Sequence, residues 1–167
     1  MIEQNDIITF MVMKIKIIVV DRTRSPFLKQ GESFYLDCIK RYAHTEWVET
    51  KPAIIKKGKD VEKITNREGA SIEKKLLPRE YIIALDRSGK AYDSRGLAAQ
   101  IEKIAFTHNR ITFIIGGPLG LSKRILEKAH EIFSLSQLTL THEMSRLLLL
   151  EQTYRAFTII NNEKYHK

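Results

Sequence analysis

Ile114-Ile115-Gly116-Gly117-Pro118-Leu119-Gly120-Leu121 is the stretch whose reading decides the fold. Residues 110 to 115 read as a buried strand that opens into a glycine turn. Glycine at 116, 117 and 120 implies a positive φ or a backbone that must lie close to something else. Downstream, Leu135-Ser136-Gln137-Leu138-Thr139-Leu140 alternates apolar and polar residues and is too short for a helix. It stops where Thr141 can cap one. Between the two segments, Ser122 can cap a short helix ending near Ala129, and Glu131 to Ser134 reads as a short strand. Two backbone-rich segments at the carboxyl end of a strand, flanking one short helix, are where open α/β sheets bind ligands. A cofactor site is expected there.

Working outward, Lys14 to Val20 alternates and then becomes fully apolar, as suits a strand covered on both faces. Pro26 can start a helix whose apolar face would carry Phe27, Phe34, Tyr35, Cys38, Ile39 and Tyr42. Trp47 to Ile55 reads as a second strand, with Pro52 at an edge or bulge. Lys56-Lys57-Gly58-Lys59-Asp60 is a basic loop, either a solvated turn or a phosphate contact. Val61, Ile64, Glu68, Ile72 and Leu76 mark an amphipathic helix that also carries Lys63, Arg67, Lys74 and Lys75 and is stopped by Pro78. Tyr81 to Leu85 reads as a strand, Asp86 to Lys90 as a turn, and Asp93 or Ser94 can cap a helix to about Phe106. The last helix runs from Thr141 to about Ile160. Its Leu147 to Leu150 are apolar around the whole circumference, so it is either a central core helix or is covered by a second subunit. This βα alternation predicts an α/β domain with a mostly parallel sheet and helices on both faces. Residues 13 to 167 read as one domain, preceded by an extension at 1 to 12.

The chain has 167 residues, enough for one domain with a real core, and 43% hydrophobic with 29% charged residues is a globular composition. A net charge of +8 points to an anionic partner, most simply nucleic acid, or to a merely soluble basic protein. One cysteine, Cys38, excludes an internal disulfide and any multi-cysteine metal site, and its place on an apolar helical face reads as core. No apolar run approaches a membrane span. The N-terminus carries Glu3 and Asp6 rather than a basic leader, so a cytoplasmic location is expected.

The glycine turn is neither a Rossmann fingerprint nor a Walker A loop, and no nucleophile elbow occurs. His44, His108, His130, His142 and His166 show no metal-ligand spacing, so no metal is expected. His142 and Arg146 share a face at the start of the last helix, where free N–H groups and the helix dipole favour anions. They are candidate catalytic residues; the alternative is surface charge and ordinary capping. Glu151 and Arg155 are spaced as an intrahelical pair. Tyr165-His166-Lys167 carries a stacking ring, a donor and a cation suited to RNA, although terminal residues often fray.

Together these segments resemble the ribosomal large-subunit pseudouridine methyltransferase H family of the SPOUT superfamily. The resemblance runs from about Met13 onward and is dense from Arg110. It is carried by Ile115-Gly116-Gly117-Pro118-x-Gly120-Leu121, Leu135-Ser136-x-x-x-Thr139-Leu140-x-His142, Arg146, Leu149-x-Glu151-Gln152-x-Tyr154-Arg155-Ala156-Phe157 and Tyr165-His166-Lys167. Leu85-Asp86-x-x-Gly89-Lys90 also fits. The resemblance implies a C-terminal trefoil knot, a homodimer, and S-adenosylmethionine held by Leu85, Gly116 and Leu135, Ser136, Gln137, Leu138, Thr139 and Leu140. It implies methylation of N3 of a pseudouridine in 23S rRNA of assembled ribosomes, with Tyr165, His166 and Lys167 on the RNA. The chain departs from the family pattern at Asp21, where glycine is usual, at Leu119, and at Thr141, where proline is usual. Two other readings compete: a non-catalytic RNA-binding protein of the same fold, separated by cofactor binding, and a SPOUT methyltransferase acting on tRNA, separated by substrate.

Overall fold

The structure is a computed structural model and describes residues 13–55, 58 and 60–166. The extension read at 1 to 12, three lysines of the basic loop (56, 57 and 59) and Lys167 lie outside the described residues. Among the described residues five strands and five helices alternate: β1 (Lys14–Val20), α1 (Pro26–Ile39), β2 (His44–Thr50), α2 (Val61–Glu73), β3 (Tyr81–Ala91), α3 (Ser94–Ala105), β4 (Arg110–Ile115), α4 (Lys123–Lys128), β5 (Glu131–Ser134) and α5 (His142–Ile160). The strands form one sheet in the order β2-β1-β4-β3-β5, and every pairing is parallel. The expected α/β class is what the chain adopts.

Successive side chains of a strand leave on opposite faces, so each central strand feeds two cores. Ile15, Ile17, Val19, Phe113 and Ile115 pack with Ile39, Ile101, Leu149 and Phe157 of α1, α3 and α5. Ile18, Val20 and Ile114 pack with Ile72 and Ile125 of α2 and α4 on the other face. The helices start where short polar side chains accept a first-turn N–H: Ser25, Asp60, Asp93, Ser122 and Thr141.

Four expectations need correction. α1 buries Leu28, Glu32 and Ile39 rather than Phe27 and Phe34, which are 73% and 61% exposed. Its true inner stripe contains a carboxylate, and that disguised it. Cys38 is accordingly half-buried, not core. β2 starts at His44 and ends at Thr50, before Pro52, because it is an edge strand whose only partner, β1, stops at Val20. Asp86 to Lys90 is not a simple turn: β3 pairs β5 at Leu85, bulges, and pairs it again at Lys90, both opposite Phe133. A Cβ at Gly89 would lie 2.5 Å from the carbonyl of Ile132, so the bulge presses directly on β5.

The alternation at the start of β1 does not place Lys16 in water. Its ammonium is 2.8 Å from the Glu80 carboxylate, both side chains almost fully buried, and it donates to Lys75 O at 2.6 Å. Glu80 also accepts from the Thr112 hydroxyl and the Leu77 N–H, so both members of the buried pair have further hydrogen-bond partners.

Candidate functional site

A cavity of about 710 Å³ opens at the carboxyl edge of β4, β3 and β5. Its first wall is the β3 bulge, with Leu85, Asp86 and Arg87; its second is the turn from Ile115 to Gly120. The third runs from Phe133 through Leu135, Ser136, Leu138, Thr139 and Leu140 to Thr141, His142 and Ser145 at the start of α5. The two backbone-rich segments singled out in the sequence are thus brought face to face.

The glycines are required by contact and conformation. A Cβ at Gly116 would lie 2.6 Å from the carbonyl carbon and oxygen of Gly120, and Gly117 and Gly120 form a bridge. A Cβ at Gly117 would meet the Glu68 carboxylate at 3.2 Å, while Gly120 has φ +81°. The 135–140 segment belongs to no strand or helix, so its backbone is not committed to a ladder. It is braced locally: Ser134 Oγ donates to Ser136 O, and Leu138 N donates to Ser136 Oγ. Gln137 does not line the cavity and its side chain is exposed.

His142 lines the cavity and is half-buried. Desolvation and the nearby Arg146 charge hold its imidazole below the ordinary value, opposed by Glu143 and Asp21. Arg146 does not line the cavity. It is fully buried beneath it, donating to Thr23 Oγ1 at 2.8 Å and to Val20 O at 2.6 Å, with Nε unpartnered. Thr23 in turn donates to Glu32 Oε1 at 2.7 Å. Burial raises the Glu32 carboxyl above its usual value against the pull of that bond and of Arg146. Thr23 and Glu32 went unnoticed in the sequence, where the one visible sign was a carboxylate on the inner stripe of α1.

Tyr165 and His166 are remote from this cavity. The Tyr165 hydroxyl donates to Glu151 at 3.1 Å, and the Arg155 guanidinium lies 4.6 Å from the centre of its ring. Arg155 and Glu151 form the expected i,i+4 pair at 2.6 Å. Glu151 is nine residues along α5 from His142, a rise of about 13 Å. His166 Nδ1 is buried without a partner. Among the described residues no group of three His, Cys, Asp or Glu could hold a metal ion, and no helix is long and apolar enough to cross a membrane.

The sequence model of a family described as "Predicted SPOUT methyltransferase" matches residues 13–166. The chain belongs to the SPOUT methyltransferase family. This SPOUT methyltransferase is 40% identical over 154 residues to a "Ribosomal RNA large subunit methyltransferase H" of Thermotoga neapolitana, covering 92% of this chain and 99% of that one. A protein of the same name from Listeria monocytogenes serovar 1/2a is 38% identical, with 93% and 100% covered. Among solved structures, a probable methylase family protein from Haemophilus influenzae Rd KW20 superposes with a TM-score of 0.56 at 15% identity, over 94% of this chain and 72% of that one. That likeness speaks to the fold. The methyl donor of this SPOUT methyltransferase is S-adenosylmethionine. The cavity suits it: the volume is that of a small-molecule site, and Leu85, Leu135 and Leu140 put apolar surface on its walls beside the tightly closed Gly116–Gly120 turn.

Proposed function

We propose that this SPOUT methyltransferase methylates N3 of a pseudouridine in 23S rRNA, acting in the cytoplasm on assembled ribosomes. The observation that carries the reading is the cavity built from Leu85, Gly116 and the 135–140 segment, set in a chain of net charge +8. The domain runs from 13 to 167 behind an extension at 1 to 12, and carries the family's C-terminal knot.

When bound, S-adenosylmethionine supplies a methyl group activated on a sulfonium. The chain's own work is positioning. Leu85, Leu135 and Leu140 would hold the adenine between apolar surfaces, with Gly116 on the facing wall. Ser136, Leu138 and Thr139 line its remaining edge, and Gln137 contributes through its main chain. The target base would enter beside His142 at the N-terminal end of α5; as the sulfonium S–CH3 bond breaks and N3–CH3 forms, the N3 proton would pass to solvent, and negative charge developing on the base would be met there. His142, kept neutral by burial, faces that charge with a ring N–H. Arg146 acts from below by fixing Val20 O and Thr23 at the end of β1.

The protein acts as a homodimer. Phe27 and Phe34 of α1 and Met144 of α5 supply exposed apolar surface for a second copy; a stable dimer buries at least about 1,000 Å² in total. Tyr165 and His166 sit too far from their own cavity to touch its substrate; with Lys167 they would reach the RNA at the partner's.

The test is methyl transfer from labelled S-adenosylmethionine to ribosomes from cells lacking this protein, with naked rRNA and tRNA beside them. Label confined to 23S rRNA of assembled ribosomes is expected. Label in tRNA would move the activity to another substrate, and no label with no cofactor binding would make the protein a non-catalytic binder.

A further inference from the structure

α2 and α4 cover one face of the sheet, and their charges are arranged differently. On α4 and its border every cation has a carboxylate: Arg124 and Lys128 pair with Glu73 at 2.6 and 3.6 Å, and Lys123 pairs with Glu127 at 3.7 Å. On α2, Lys63, Arg67 and Lys74 are exposed and form no ion pair among the described residues. At about 100° per residue these positions fall within about 40° of one another. They make a single row about 16 Å long, from the first turn of the helix to its C-cap. Lys75 and Arg79 extend the unpaired charge past the helix end.

The row has a defined relation to the cavity. Glu68, on the inward face of α2, lies 3.2 Å from where a Cβ on Gly117 would sit, and accepts the Ala53 N–H at 3.0 Å. The outer row therefore stands one helix diameter, about 10 Å, behind the glycine wall. Repulsion among like charges along one helix face is a cost that a purely structural role does not explain. The row holds no large apolar side chain, as insertion into a lipid surface would require. A row of exposed cations at one-to-two-turn spacing suits the regularly spaced charges of a phosphate backbone, the commonest nucleic-acid contact of Lys and Arg, which positions the strand.

We propose that the Lys63–Arg67–Lys74 row of α2 is a docking strip for the phosphate backbone of rRNA flanking the target nucleotide. It rests on the reading of the protein as an rRNA methyltransferase. The strip sets where the substrate lies; the cavity sets which atom is methylated. It lies on the sheet face opposite α1 and α5, so pairing of two copies through those helices leaves it open.

The experiment compares the intact protein with Lys63→Gln/Arg67→Gln/Lys74→Gln, and with a control that removes the same charge elsewhere, Lys14→Gln/Lys40→Gln/Lys103→Gln. A charge-keeping variant, Lys63→Arg/Arg67→Lys/Lys74→Arg, completes the set. The strip variant is expected to raise KM for ribosomes at least about tenfold and to flatten the dependence of log binding on log salt by about 2 to 3. Its kcat and S-adenosylmethionine Kd should stay unchanged, and the other two variants should behave like the intact protein. Equal shifts in the strip and control variants would reduce the effect to overall charge and overturn the proposal, as would no shift in either. Loss of binding in the charge-keeping variant would overturn it too. If the intact protein methylates no ribosomes, the parent reading fails; filter binding of 23S rRNA fragments by the same variants still decides the strip.

Discussion

Arg146 and Thr23 lie 123 residues apart in the chain and are joined by a buried 2.8 Å hydrogen bond. The bond ties the start of α5 to the loop after β1. Thr23→Val keeps the shape and removes the acceptor. It should destabilise the protein by about 1–3 kcal/mol in urea unfolding, the cost of leaving a buried donor unpaired. Thr23→Ser should restore most of that. Equal unfolding midpoints for the valine and serine variants would show the bond to be without consequence.

The glycine wall predicts a graded series. Gly116→Ala forces a contact of 2.6 Å onto Gly120 backbone, which cannot swing aside. It should weaken S-adenosylmethionine binding at least about tenfold in calorimetry, a loss of about 1.4 kcal/mol. At Gly120 the added carbon meets nothing within 4 Å, but φ is +81°. Alanine there should cost about 1–2 kcal/mol of stability and leave binding closer to normal.

Lys16 and Glu80 form a buried pair braced by Lys75 O, Thr112 and the Leu77 N–H. Removing either partner leaves the other charge buried. Lys16→Met and Glu80→Leu should each cost about 3–5 kcal/mol. The double variant should lose much less than the sum, because neither charge is then stranded. Strict additivity of the three urea midpoints would contradict this.

His142 makes stability depend on pH in a definite direction. Its folded pKa lies below the ordinary 6.5 because burial and Arg146 disfavour the cation. Between the two values the unfolded chain binds more protons, so stability rises with pH across that window and is fully present above it. On acidification the contribution is lost. Urea titrations from pH 5 to 7.5 should show this slope in the intact protein and a smaller one in His142→Asn.

What could be read from the sequence were features set by near neighbours in the chain. The caps at Asp93, Ser122 and Thr141, the alternation of strands and helices, and the glycine turn are local chemistry, and the structure places each where the residues imply; the caps at Ser25 and Asp60 came only with the structure. What escaped was charge buried by distant partners. Nothing near Lys16, Glu32 or Arg146 in the chain marks them as buried; Glu80, Thr23 and Val20 O are brought to them only by the fold. The β3 bulge was missed because Asp86 to Gly89 has turn chemistry, and only β5, far along the chain, restores the strand. Asp21 was noted only as a departure where relatives carry glycine. Its φ of +67° gives the reason: the position is left-handed, and aspartate tolerates it better than most residues.

The cavity's three walls come from residues 85–87, 115–120 and 133–145, so no chain that stops before Ser145 contains it whole. During synthesis β1 to β5 can all be made while the cavity still lacks a wall. It is completed only when the start of α5 emerges and the helix docks on α1 and α3. On the proposal that this cavity holds S-adenosylmethionine, cofactor binding reports on completed folding of the newly made protein, and an interrupted chain ending before α5 is expected to capture none.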